Sequence, residues 1–254
     1  MQLPPVGRPS LFRGPPAYEP RTPWSPGLAL LATVVIVGAS ILGASLLILR
    51  NADLMAPSGA GPSTWRQDVS GLGTLAVWQG VAIVLTLLAS VMFGGRLRDV
   101  LALRSPGPPS IYLKAVLALA ALQVAVSVAQ AFLVQDIYAD MRPFVRLFGE
   151  QWLLALLVVG VGAPLSEELL FRGFLLSALA RSRLGFAGGA ALSTGLWTAL
   201  HAGYSPAGMV EVFLIGVFFS WLLWRTGSLL VPIFCHALYN SLIVLILRQV
   251  PLPS

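Results

Sequence analysis

WLLALLVVGVGAPLSEELLFRGFLLSALA, residues 152–180, is an apolar run interrupted near its middle by Glu167, Glu168 and Arg172. Its apolar residues do not alternate with period two, so a strand of a membrane barrel is disfavoured and a membrane helix is expected. Each charge costs about 2.5–3.5 kcal/mol at mid-helix on insertion scales. The flanking leucines and valines can still drive the segment in, but the charges need partners. Glu168 and Arg172 stand four apart with the acid first, the favourable order for a same-face ion pair. Glu167 then lies about 100° round the helix, with no local cation. Gly160 and Pro164 in GVGAP predict a kink or a helix restart just before it.

The whole chain shares this character. Hydrophobic residues make up 57% of its 254 residues and charged residues 10%, against roughly 25% charged in soluble domains. Mean hydropathy is +0.83. The class expected is all-α: a polytopic membrane helix bundle of about seven spans, near 27–49, 71–94, 114–134, 152–180, 186–203, 208–224 and 228–247. The first run is longer than a signal-peptide core and reads as a retained span. Residues 1–26, with eight prolines and three arginines, are expected to be an extended, disordered tail. Residues 27–134 read as N-terminal membrane helices and 150–247 as a C-terminal membrane-helical core. Segment 135–151 mixes charges with Ile, Tyr and Phe, and fits a position along the interface.

The net charge of +6 is almost all arginine. No basic run carries interleaved aromatics, so the excess points to topology and lipid contact, with no nucleic-acid partner. With the N-terminus cytoplasmic, ten basic residues fall inside and five outside, which favours that orientation. Arginine over lysine, with many Ala, Gly and Pro, points to the cell membrane of a GC-rich bacterium. Cys235 is the only cysteine, so no internal disulfide forms.

The two histidines, His201 and His236, both fall in apolar stretches. In WTALH, 197–201, Trp197 lies one turn before His201. In HALYN, 236–240, Asn240 lies one turn after His236. One Glu, two His and one Asn on three expected spans, beside an ion pair, are the parts of a polar cavity in a helix bundle. A buried glutamate can activate water, a histidine can relay the proton, and a second histidine with an amide can hold a developing oxyanion. The set suits hydrolysis of an acyl bond. Glu167, His201 and His236 are also candidate zinc ligands, so a zinc-dependent and a metal-independent glutamate mechanism both stay open. Two other classes use the same groups: a proton-coupled transporter, and a non-catalytic membrane scaffold or immunity protein. Glu211 takes no role at this level.

EELLFR fits an EExxxR motif, WTALH resembles FxxxH with Trp197 in place of the usual Phe, and HALYN fits HxxxN. In that order they resemble the CAAX-protease and bacteriocin-processing family of intramembrane endopeptidases, also called the Abi family. HExxH, GxSG and GxGD, the motifs of other intramembrane proteases, are absent. The resemblance implies that Glu167 activates water with help from His201, and that His236 and Asn240 stabilise the oxyanion. It also implies a metalloprotease classification and a membrane-associated peptide or protein substrate. Glu168 and Arg172 would hold the site in shape, and Trp197 would keep an aromatic wall. In a bacterium, prenylated CAAX substrates are not expected.

Overall fold

The computed structural model describes residues 11–52, 65–133 and 139–250; residues 1–10 of the expected tail and 135–138 of the expected interfacial segment lie outside them. Among the described residues there are helices and no strands. The long helices are α1 (Pro26–Arg50), α2 (Trp65–Met92), α3 (Ser110–Leu133), α4 (Arg142–Glu150), α5 (Trp152–Leu179), α6 (Gly185–Ala199), α7 (Pro206–Thr226) and α8 (Leu230–Leu247).

Six of these (α1, α2, α3, α5, α7 and α8) are long and apolar enough to cross a membrane, so the chain is a multi-pass membrane protein. The seventh expected span, 186–203, is the exception. Helix α6 has 15 residues, about 22 Å at 1.5 Å per residue, against roughly 30 Å of hydrocarbon. His201 consequently lies in the turn after α6 and not within a helix.

Helix starts follow the capping chemistry written in the chain. Ser25 accepts from the Leu28 amide at 3.3 Å, with Pro26 at the first helical position of α1. Ser205 does the same for the Gly208 amide at 3.1 Å, with Pro206 beginning α7. On α1 the buried stripe Ala29, Thr33, Ile36, Ser40 and Ala44 is made mostly of small residues. It lets α2 approach closely. The opposite stripe, Leu31, Val35, Leu42 and Leu46, is exposed and suits lipid.

Helix α5 is central, packing against α1, α2, α6 and α8. The expected kink takes a particular form. The helix does not break at GVGAP; it runs as π-helix over Leu156–Gly162, as α-helix over Ala163–Glu167, and as π-helix again over Glu168–Leu175. Leu169 to Leu176 are nearly all buried, so the charged stretch sits in protein and not against lipid.

Residues 11–25 of the expected tail are packed and not disordered. They hold no helix or strand and form a packed strap. The Arg225 guanidinium donates to the carbonyls of Leu11 at 2.7 Å, Arg13 at 2.8 Å and Gly14 at 2.9 Å. The Tyr18 amide donates to the Trp224 carbonyl at 3.2 Å, and Trp24 stacks on Phe174 with ring centroids 4.7 Å apart. Proline removes backbone donors but leaves every carbonyl, so a proline-rich strap is well suited to binding by a buried arginine.

Candidate active site

Glu168 and Arg172 form the ion pair expected from their spacing, 3.0 Å apart and both fully buried. Burial of that degree demands further partners. Arg172 Nη2 also donates to the Gly216 carbonyl at 3.2 Å, and the guanidinium lies 4.3 Å from the Trp197 ring centroid. Gly216 permits this approach: a Cβ there would stand 2.8 Å from both Arg172 Nη2 and the Trp197 ring.

Glu168 Oε1 also meets His236 Nδ1 at 3.0 Å. An ionised carboxylate only accepts, so this contact assigns the proton to Nδ1 and leaves Nε2 turned the other way. His236 Nε2 stands 3.8 Å from Glu167 Oε2. That is too long for a hydrogen bond and leaves room for a bridging group. Glu167 Oε2 accepts from the Trp197 indole Nε1–H at 2.6 Å. His201 Nδ1 lies 3.1 Å from the Trp197 carbonyl, which again places the proton on Nδ1. The His201 ring leans edge-on against Trp197 at 5.0 Å.

Asn240 has a partner set by Pro164. The Ala163 amide donates to Val158, five residues back. In that register the Val159 carbonyl would take the amide of residue 164, a proline without one. Asn240 Nδ2 fills the gap, donating to Val159 O at 3.0 Å.

Glu167, Trp197, His201, His236 and Asn240 line one cavity of about 1000 Å³ between the helices. The structure therefore brings the expected residues together, with two differences from the arrangement the motifs imply. The histidine within 4 Å of Glu167 is His236, while His201 lines the same cavity with its Nδ1 on the backbone of its own turn. Asn240 already spends one donor on Val159.

Two of the three candidate zinc ligands, Glu167 and His236, stand within 4 Å of one another. Among the described residues no three His, Cys, Asp or Glu side chains are grouped to hold one metal ion. Glu167 and His236 provide a pair, where a zinc site takes three protein ligands.

Sequence reasoning missed three polar groups on this cavity. Glu211 accepts from Gln123 at 2.8 Å, Gln130 at 2.8 Å and Tyr239 at 3.1 Å. Asp140 accepts from the amide and hydroxyl of Ser205 at 2.8 and 2.7 Å, holding the start of α7. Gln79 reaches in from α2. Isolated glutamines in apolar runs were the available signal, since an intramembrane amide needs a partner.

Residues 149–242 match the family model described as type II CAAX prenyl endopeptidase, Rce1-like, and the match takes in all three motifs. This stretch is similar to an Rce1-like domain. The Rce1-like domain thus comprises α5 to most of α8, with the cavity residues Glu167, Trp197, His201, His236 and Asn240 inside it. The chain is also similar to an uncharacterized 24.3 kDa protein of Escherichia coli, 36% identical over 103 residues. That alignment covers 37% of this chain and 47% of the relative, so about half of the relative's length is matched. No solved structure matches the chain.

Proposed function

We propose that this protein is an intramembrane endopeptidase that hydrolyses a peptide bond of a membrane-embedded or membrane-associated substrate. The observation that carries the reading is the 3.8 Å gap between Glu167 Oε2 and His236 Nε2, open to a cavity of the Rce1-like domain. A water in that gap can bond to both groups. Glu167 takes its proton as the water oxygen attacks the scissile carbonyl. The Trp197 N–H holds the carboxylate in place, and Glu168 orients His236 through Nδ1. His236, when protonated on Nε2, and the second N–H of Asn240 stabilise the oxyanion. Glu167 then passes the proton to the leaving nitrogen as the C–N bond breaks. His201 lines the cavity beside Trp197 and assists Glu167 through its free Nε2. No step of this reading needs a metal.

The core at 150–247 would carry the chemistry and the helices of 27–134 would complete the cavity wall. The basic-residue count supports a cytoplasmic N-terminus, and composition supports the cell membrane of a GC-rich bacterium. The test compares the termini of membrane peptides in cells carrying wild type or Glu167→Ala at matched expression. Cleavage products that vanish in the variant are expected. Identical termini would leave Glu167 a structural role, as in a scaffold or immunity protein.

A further inference from the structure

Gln79 lies near the middle of α2, a helix outside the Rce1-like domain. It is only 7% exposed, and what remains exposed faces the cavity that holds Glu167. Among the described residues it makes no hydrogen bond. The other two glutamines on this cavity, Gln123 and Gln130, are both engaged by Glu211. An amide buried at membrane depth without a partner is costly, and the chain provides space for it. A Cβ on Gly162 would overlap Gln79 Oε1, with Gln79 Cδ only 3.2 Å away.

We propose that Gln79 is a subsite for the backbone of an extended substrate peptide, its amide pairing with one peptide group. The inference rests on the endopeptidase reading of the same cavity. A segment unwound for cleavage loses its internal hydrogen bonds, and inside a bilayer no water replaces them. A side-chain amide offers both a donor and an acceptor to such a peptide group. Gly162 precedes Glu167 by five residues, about 7 Å along the helix. At about 3.3 Å per residue of extended chain, Gln79 engages the backbone about two residues from the scissile bond. It is a positioning residue, not one that touches the reacting atoms.

The test uses purified full-length protein in detergent and two probes. One is acetyl-Leu-Ala-Leu-Ala-Leu-Ala-N-methylamide; the other is the same peptide with every second amide replaced by an ester. Wild type is expected to bind the amide peptide about tenfold tighter, the effect of one hydrogen bond. Gln79→Leu removes the amide, and Gly162→Ala displaces it while leaving Gln79 present. Both variants are expected to bind the two probes equally, with unchanged thermal unfolding. Equal binding by wild type, no binding of either probe, or a ratio that persists in both variants would overturn the proposal. The ratio is read without turnover, so it fails separately from the comparison of Glu167→Ala termini.

Discussion

Trp197 Nε1 donates to Glu167 Oε2 at 2.6 Å, joining two residues 30 apart in the chain. The indole is wedged between the Arg172 guanidinium and the His201 ring. Phenylalanine, the residue that the family motif carries here, keeps an aromatic ring but is smaller and donates nothing.

Trp197→Phe should therefore keep the fold and loosen Glu167. A hydrogen bond to a charged group is worth about 1.5–3 kcal/mol, so kcat is expected to fall at least about tenfold with KM nearly unchanged. Steady-state kinetics on a peptide identified by the termini comparison checks this. An unchanged kcat would mean that the carboxylate is oriented without the indole.

The buried pair separates stability from activity. Glu168→Gln or Arg172→Met alone leaves one buried charge without its ion partner and should cost about 3–5 kcal/mol, seen as a lower unfolding midpoint in detergent. The double variant Glu168→Leu, Arg172→Met should recover much of that loss. It should stay inactive, because His236 Nδ1 loses its acceptor.

Arg225 should govern the strap. Arg225→Ala removes the donors to Leu11, Arg13 and Gly14. Trypsin is then expected to cut after Arg13 and Arg21 about tenfold faster, as local opening becomes easier. Cleavage rates followed by mass spectrometry decide it; equal rates would place the strap's stability in the Trp24 and Tyr18 contacts instead.

Tyr204 lies in the turn between α6 and α7, outside the spans. Burial, and then the carboxylates of Glu167, Asp140 and Glu211, push its phenol above the ordinary value. The proton is held more tightly in the folded state. Its contribution to stability is thus complete below about pH 10, the unfolded phenol's value, and is lost as pH rises from there through the folded value. Unfolding midpoints between about pH 9 and 11 should fall less steeply for Tyr204→Phe than for wild type.

The sequence by itself determined the helical membrane class, most of the span positions, the Glu168–Arg172 pair and four of the polar residues that line the cavity. Hydrophobic run length and i,i+4 spacing are local properties, and local properties are readable along a chain. Tertiary structure decided the rest. That His236 comes within 4 Å of Glu167 depends on the packing of α8 against α5. That Asn240 meets Val159 depends on a π-helical register that sets the Val159 carbonyl opposite Pro164, which has no amide to donate. That Gln79 reaches the cavity depends on the packing of α2 against α5. The strap inverted its composition: proline-rich sequence reads as loose, and a distant arginine that donates to three of its carbonyls, with the Tyr18 and Trp24 contacts, holds residues 11–25 in place. Each of these is a meeting of groups far apart in the chain, and spacing along one helix says nothing about where another helix will lie.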